Sequence, residues 1–357
     1  MRFLTTSALA VLTCGSSARC ALPPTVDANA VVTKIATLPT ESWTVGSPFT
    51  EGATRDPATG DVYFVDQNSN KILKYSVDGV LSTFMHPAGY SNGMSFDRFG
   101  KLIACADERN QLWEISTNET EVVPYPEPLN PAVGAPSPGG DIELPEYKVI
   151  MDGEYNGGLL NGPNDVWAMP DNSLFFTDPF WARSWWSPGR TQEQDTWTVY
   201  RLSADRQTLT RALAKFATTD GKTGQGSPNG IISSVDGKTL YVAHGPGGPG
   251  AEAFAYDVAA DGTLSNGRLF AKFASDGMTM DNQGNMYMTT PGNTNPGGQG
   301  GVTVVNIASG QSIGFIPVPE GTSNVAFGGV DQSTLYITAG SGFYSIPTKV
   351  KGAHLVK

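Results

Sequence analysis

The chain has few of the residues that form disulfide bonds or bind zinc: its 357 residues include three cysteines and three histidines. Cys14 lies in the N-terminal leader and Cys20 at its edge, so Cys105 is the one cysteine clearly in the folded body. It stands in an apolar strand, where we expect a small buried hydrophobe. The histidines show no metal-binding spacing. These shortages exclude a disulfide framework and disfavour a zinc site.

Charged residues are also scarce, and most of them are acidic. They form 16% of the chain, with 23 Lys and Arg against 34 Asp and Glu, which gives a formal net charge of −11. A negative chain repels nucleic acid and anionic membrane surfaces. We therefore expect neither as a partner, and favour a cation or a neutral small molecule.

Long apolar runs are absent, and a membrane helix needs about 20 such residues. The stretch from Phe3 to Leu12 follows Met1-Arg2 and precedes small residues near positions 16–21, which is the layout of a secretory signal peptide. We predict a leader over residues 1–20 and a soluble, secreted, extracellular mature protein. In that compartment the tripeptide Asn118-Glu119-Thr120 is a candidate glycosylation site at Asn118.

Glycine and proline are abundant, with 42 and 25 residues, which favours short strands joined by turns. One pattern recurs six times along the chain: a polar turn, a buried strand, a second turn, and a strand rich in aromatic and β-branched residues. Repeats of about 40 to 50 residues are typical of propellers. The repeats predict an all-β fold, a six-bladed β-propeller that forms a single domain over residues 21–357.

Each repeat begins its first strand with an oxygen-bearing side chain, and in a propeller that strand borders the central channel. The six residues are Glu51, Asn92, Asn164, Asn229, Asp276 and Asn324. Since Asn and Asp are also common turn residues, a purely structural role is the alternative. Carboxylates and amides converging on one axis suit a hard cation, with Ca²⁺ as the leading candidate. Such a cation polarises a carbonyl, and a nearby carboxylate can take a proton from water.

Several stretches, in this order, resemble one known family. They are Glu51-Gly52, the runs LNGPNDV from Leu160 and FTDP from Phe176, SPNGI from Ser227, Asp276-Gly277-Met278, and NVAFGG from Asn324. Together they are similar to the gluconolactonase/regucalcin family of six-bladed propellers over essentially the whole mature chain. The resemblance implies a sugar lactone as small-molecule substrate and one channel metal, Ca²⁺, with Mg²⁺, Mn²⁺ or Zn²⁺ as alternatives in its place.

The resemblance also implies roles for individual residues of the metal site. Glu51, Asn229 and Asp276 would bind the metal directly. Asn164 would complete the site or hold the substrate through the metal. Asp276 would double as the catalytic general base.

The substrate-binding residues transfer less directly from the family. Animal members carry an arginine two residues before the equivalent of Asn164, where this chain has Gly162, so substrate identity does not transfer from them. Microbial members show a His-Gly-x-Arg-like stretch after the second blade's strand, of which this chain keeps Arg109 and lacks the histidine. We retain Arg109, Asn92 and Asn324 as substrate-binding candidates.

Two further candidates come from the loops. His244 follows a strand beside a Gly/Pro loop, so it is either an acid or base at the pocket or an ordinary loop histidine. Trp181 belongs to an aromatic cluster after the FTDP stretch. That cluster is either a stacking platform for a sugar ring or the packing of a long insertion.

The interpretation is a secreted, Ca²⁺-dependent lactonase that opens aldonolactones such as glucono-1,5-lactone to the acid. One alternative is a hydrolase of other esters or phosphotriesters on the same fold, because the fold alone does not determine the substrate. A second alternative is a binding propeller without catalysis, in which Ca²⁺ joins the blades. Oligomeric state stays open.

Overall fold

The computed structural model describes residues 21–40, 44–118, 123–124, 144–214, 216, 226–245, 252–292 and 300–353. Within these ranges the secondary structure consists of β-strands. The same ranges contain no helix of the length and apolarity needed to cross a bilayer. The predicted signal peptide lies outside the described residues, as do positions 119 and 120 of the glycosylation tripeptide.

The strands form six sheets of four or five strands, plus one short hairpin. Strand β1 (Thr33–Thr37) belongs to the sixth sheet. The first sheet contains β2 (Thr50–Arg55), β3 (Val62–Asp66), β4 (Lys71–Tyr75), β5 (Leu81–Met85) and β9 (Val123–Pro124), and the second contains β6 (Ser91–Phe96), β7 (Leu102–Ala106), β8 (Gln111–Ile115) and β10 (Tyr147–Met151). The hairpin is β11 (Glu154–Tyr155) with β12 (Gly158–Leu159).

The remaining sheets follow the same order from the inner strand outward. The third contains β13 (Val166–Ala168), β14 (Leu174–Asp178), β15 (Thr198–Leu202) and β16 (Leu209–Arg211), and the fourth contains β17 (Pro228–Ser233), β18 (Thr239–His244), β19 (Ala253–Val258) and β20 (Leu264–Ala271). The fifth contains β21 (Met278–Met280), β22 (Asn285–Thr290), β23 (Gly301–Asn306) and β24 (Gln311–Pro317), and the sixth contains β25 (Thr322–Gly328), β26 (Thr334–Ala339), β27 (Gly342–Pro347) and β1. The predicted all-β, six-bladed propeller is confirmed.

The two ends of the chain meet in the sixth blade. Strand β1 pairs antiparallel with β27, with Thr33 opposite Ser345 and Thr37 opposite Gly342. The ion pair between Lys34 Nζ and Glu320 Oε1, 2.7 Å long, supports the same junction. This pairing closes the ring of blades, so the outer edge of the last sheet is covered by the first strand.

The hydrophobic core lies between neighbouring blades, because each sheet buries both of its faces. The ring of Tyr63 in blade 1 packs edge-on against Phe84, and also against Phe96 of blade 2 with centroids 5.5 Å apart. On the other side of blade 1, Phe64 stacks on Phe343 of blade 6 at 4.1 Å. Burial on both faces explains why β3 is a continuous apolar run rather than an alternating one.

Glycines let the inner strands approach one another closely around the axis. A Cβ at Gly230 would collide with the backbone oxygen of Asp276, and one at Gly277 would collide with the side chain of Asn324. Larger residues at these positions would separate the blades. The polar residue that precedes each glycine is thereby held at the channel.

Candidate metal centre and channel mouth

The structure brings together the six side chains that the repeats predict for the channel. Glu51, Asn92, Asn229 and Asn324 lie in inner strands, whereas Asn164 and Asp276 directly precede β13 and β21. All are buried except Asp276, which keeps part of its surface exposed. The ring therefore combines four amides with two carboxylates, and Asp276 is its least buried member.

Asp276 and Asn229 form the central contact of this ring. Asn229 Nδ2 donates a hydrogen bond of 2.7 Å to Asp276 Oδ1. Burial raises the pKa of Asp276 to about 7, and both the Asn229 hydrogen bond and the charge of Arg183 oppose that rise. A divalent cation bound beside Asp276 would favour its ionised form, which is the form that can accept a proton.

Glu51 is a buried carboxylate, 2% exposed. Burial raises the pKa of Glu51 well above its usual value, and the negative charges of Asp276 and Asp165 raise it further. Its side chain accepts hydrogen bonds from the Gly52 N–H and the Asn324 amide. Within the described ranges no Lys or Arg forms an ion pair with it. A buried anion of this kind needs a proton or a cation beside it.

Asn164 has a buried amide oxygen that could bind a cation. Its Oδ1 atom is buried and has no hydrogen-bond partner within the described part of the chain. Buried side-chain oxygens are nearly always satisfied. An unpaired amide oxygen in a ring of side chains that also contains carboxylates fits the oxygen-rich coordination that Ca²⁺ prefers.

No cluster of three or more His, Cys, Asp or Glu residues with metal-binding geometry occurs among the described residues. Two of the four predicted ligands, Asn164 and Asn229, are amides. Asparagine is not one of these four residue types, so a site that includes amide ligands would not form such a cluster. The donor set thus fits a hard cation and does not fit zinc, which takes nitrogen and sulfur ligands. Cys105 is fully buried, as the sequence predicts.

Asp165 is a channel residue that the sequence reasoning missed as a candidate. Asp165 follows Asn164 at a position where four of the other repeats have glycine. Those glycines follow Glu51, Asn92, Asn229 and Asp276 in the sequence. Its carboxylate accepts hydrogen bonds from the backbone N–H groups of Val166, at 3.0 Å, and Ile231, at 3.3 Å. Burial raises its pKa to about 8, against the effect of those hydrogen bonds.

The other predicted substrate-binding residues lie in different surroundings. Asn92 donates to Gln67 Oε1 at 2.9 Å, and Asn324 Oδ1 accepts from the Val325 N–H at 2.7 Å, both beside the channel. Arg109 is exposed in the turn after β7. His244 is buried at the end of β18, and its ring packs against Phe216 with centroids 4.5 Å apart. A substrate contact for Arg109 or His244 stays a prediction.

Trp181 lies at the channel mouth, next to a predicted metal ligand. A Cβ added at Gly245 would sit 3.0 Å from Asn229 Nδ2 and 3.3 Å from the Trp181 ring, so the glycine leaves room for both. The insertion that carries Trp181 also carries Arg183, which forms an ion pair with Asp107, its Nε 2.8 Å from Asp107 Oδ2. Sequence reasoning did not single out Arg183.

Two aspartates near the mouth, Asp178 at the end of β14 and Asp107 directly after β7, have different partners. Asp178 accepts hydrogen bonds from the N–H groups of Asn161 and Gly162, at 3.0 and 2.8 Å, as expected for a residue that stabilises a turn. Asp107 instead pairs with Arg183. Burial raises the pKa of Asp107 to about 6, although the charges of Arg183 and Arg190 oppose the rise.

Comparison with known proteins agrees with this architecture. The chain is 24% identical over 306 residues to a gluconolactonase from Zymomonas mobilis, covering 81% of this chain and 75% of that protein. A solved structure named as a candidate gluconolactonase is similar with a TM-score of 0.71 and 27% identity, over 94% of this chain and 99% of that chain. Calcium-binding regucalcin from Agrobacterium tumefaciens shares the fold, with a TM-score of 0.58 and 18% identity over 89% and 97% of the two chains.

The family model described as SMP-30/Gluconolactonase/LRE-like region matches residues 49–341, which include all six channel side chains. The match spans every blade from β2 to the end of β26. It confirms the resemblance that the sequence motifs indicate. The protein belongs to the SMP-30/gluconolactonase/LRE-like family.

Proposed function

We propose that the protein is a divalent-metal-dependent lactonase that hydrolyses aldonolactones such as glucono-1,5-lactone to the aldonic acids. The observation that carries the proposal is the pair of like-charged carboxylates, Glu51 and Asp276, in a channel whose ring of side chains also includes the buried, unpaired oxygen of Asn164. A gluconolactonase among the similar curated proteins supports the substrate class.

Four side chains would hold the metal: Glu51, Asn164, Asn229 and Asp276. Their donors are carboxylate and amide oxygens, which favours Ca²⁺ over Zn²⁺. One of the solved structures that share the fold is named a calcium-binding protein. When bound, a divalent cation supplies positive charge that polarises the lactone carbonyl.

Asp276 is the proposed general base. Its carboxylate can accept a proton from a water molecule as that water attacks the carbonyl carbon. Asn229 holds Asp276 Oδ1 through the 2.7 Å hydrogen bond and so orients the carboxylate. The bond between the carbonyl carbon and the ring oxygen then breaks, and the ring oxygen takes the proton from Asp276 to become a hydroxyl group.

The remaining channel amides and the mouth would orient the substrate. Asn92 and Asn324 present amide groups beside the carboxylates, and Trp181 offers an aromatic face next to Asn229. Aromatic faces pack against the C–H faces of sugar rings by dispersion and exclusion of water. We place the mature enzyme outside the cell, because the sequence predicts a leader over residues 1–20 and contains a glycosylation tripeptide at Asn118.

Proton release from glucono-1,5-lactone, measured with and without EDTA and after adding back Ca²⁺, Mg²⁺, Mn²⁺ or Zn²⁺, tests the proposal. We expect activity that chelation removes and Ca²⁺ restores. The same assay with a simple aryl ester and a phosphotriester distinguishes the lactonase from a broader hydrolase. Calcium binding without hydrolysis of any of these substrates would favour a binding propeller instead.

A further inference from the structure

The insertion between β14 and β15, residues 179–197, crosses the channel mouth and is tied to the blades on both sides. Toward blade 2, Trp186 Nε1 donates to the backbone oxygen of Asp107 at 2.7 Å, and Trp185 stacks on Tyr90 with centroids 4.4 Å apart. Toward blade 4, Trp181 lies against Gly245 beside Asn229. The insertion therefore forms the roof next to the candidate metal ligands.

Two arginines of this roof have different surroundings. Arg190 stacks on the Trp186 ring at 3.6 Å and donates to the backbone oxygens of Leu160 and Asn161, at 2.7 and 2.9 Å, and to Asn110 Oδ1 at 3.0 Å. Both of its terminal nitrogens are occupied by protein acceptors. Arg190 thus has a structural role, because it fastens the roof to the blade below.

Arg183 is held differently. Its Nε pairs with Asp107 Oδ2 at 2.8 Å, while its guanidinium carbon lies 5.8 Å from the Trp181 ring and 5.6 Å from the Trp185 ring. Its side chain is 20% exposed, and within the described residues the two terminal nitrogens have no hydrogen-bond acceptor. The guanidinium is therefore held at Nε, while the N–H groups of its two terminal nitrogens stay available to bind a ligand.

Arg183 and its partner Asp107 lie near the candidate metal ligands. Arg183 lies beside Trp181, and the Trp181 ring approaches Gly245 next to Asn229. Its partner Asp107 is 1% exposed and has a second oxygen, Oδ1, without a partner in the described structure. That oxygen lies 3.1 Å from where a Cβ of Gly162 would be, two residues from Asn164. The Arg183–Asp107 pair thus stands between the roof and the metal centre.

We propose that Arg183 determines substrate specificity by binding hydroxyl and carboxylate oxygens of a polyhydroxylated lactone and of its open acid. Trp181 and Trp185 would pack against the C–H face of the same sugar, and Asp107 is the positioning residue that orients the guanidinium. The inference rests on the proposed function and narrows its substrate class. A lactone without ring hydroxyls offers no partner to Arg183 and should not depend on it.

The kinetic test compares Arg183→Met on two lactones, glucono-1,5-lactone and δ-valerolactone, which lacks hydroxyl groups. We expect the KM for glucono-1,5-lactone to rise about 10- to 100-fold, the loss typical of a hydrogen bond to a charged group, and the KM for δ-valerolactone to stay unchanged. Arg183→Lys should recover part of the affinity. Arg268→Met, the same change on the exposed outer strand β20, is the matched control and should resemble wild type on both lactones.

A binding test separates this inference from the proposed function. Tryptophan fluorescence, with Trp181 and Trp185 beside Arg183, follows the titration of D-gluconate and of uncharged D-glucitol into wild type and variants in EDTA. We expect gluconate to bind wild type more tightly than glucitol does, and Arg183→Met to remove that preference. Thermal melts of every variant verify folding.

The outcomes are distinct for the two claims. Gluconate binding that depends on Arg183, in a protein that hydrolyses neither lactone, would support the inference and contradict the lactonase proposal. Equal gluconate binding by wild type and Arg183→Met, no gluconate binding by wild type, or an equal rise in KM for both lactones would overturn the inference and leave the lactonase proposal in place.

Discussion

Raising the pH from 5 to 7.5 should destabilise the metal-free protein, because its channel buries carboxyl groups with raised pKa values. The pKa is about 8 for Asp165 and about 7 for Asp276 in the folded chain, against 3.8 for an ordinary aspartate. A carboxyl with a raised pKa keeps a proton in the folded state that the unfolded chain has lost. Stability therefore falls as pH rises between the unfolded and the folded pKa.

The size of the effect follows from the width of that pH window. Each proton retained by the folded state costs about 1.4 kcal/mol per pH unit. Asp165 keeps its proton over nearly the whole interval from pH 5 to 7.5, and Asp276 over most of it, so each contributes an upper limit of about 3 kcal/mol. Exposed aspartates with lowered pKa, such as Asp257, are ionised in both states throughout this interval and contribute nothing.

The assay is thermal unfolding in EDTA and in saturating Ca²⁺ at several pH values. In EDTA the Tm should fall between pH 5 and 7.5, and Ca²⁺ should restore it most at the higher pH, because the cation binds the ionised carboxylates. Asp165→Asn should reduce the pH slope, whereas Asp257→Asn in β19 should keep it. A metal-free Tm that stays level or rises over this interval, or a wild-type slope in Asp165→Asn, would refute the reasoning.

Three further outcomes follow from the same structure. Glu51→Gln removes one of the two ligand charges and should weaken Ca²⁺ binding by at least about 100-fold in calorimetry; an unchanged Kd would place the cation elsewhere. Asp276→Asn should lower kcat about 10²- to 10⁴-fold without changing the near-UV circular dichroism, and full activity would remove its role as base. Deleting residues 21–37 should lower the Tm sharply, because β27 loses its partner β1, while Lys34→Met should cost less than about 1 kcal/mol.

The blades and the channel residues could be predicted from the sequence because each repeat has the same short-range pattern of turn residues and buried strands. A polar residue followed by a glycine begins most inner strands, as at Asn229-Gly230 and Asp276-Gly277, and the glycine permits the close approach of neighbouring blades. A buried apolar strand follows it. These features depend on short-range turn chemistry and on burial, which a single sequence displays directly.

The channel mouth could not be predicted in the same way. Residues 179–197 lie outside the repeat, so their sequence does not show which of their arginines is bound to backbone oxygens. Arg190 donates to backbone oxygens and Arg183 pairs with Asp107, a distinction made by contacts across blades. Asp165 was missed for a different reason. It stands at a position where most of the other repeats have glycine, so the repeat pattern does not predict a carboxylate there. The ring closure through β1 also depends on long-range pairing.

The most direct test of the central claim measures Ca²⁺ binding and lactone hydrolysis on the same chelator-treated protein. Calorimetry gives the stoichiometry and Kd, and proton release from glucono-1,5-lactone gives the rate at each free Ca²⁺ concentration. The account predicts one Ca²⁺ per chain, half-maximal activity at the measured Kd, and loss of both signals in Glu51→Gln. Full hydrolysis in the absence of divalent cation, or Ca²⁺ binding that Glu51→Gln leaves intact, would contradict it.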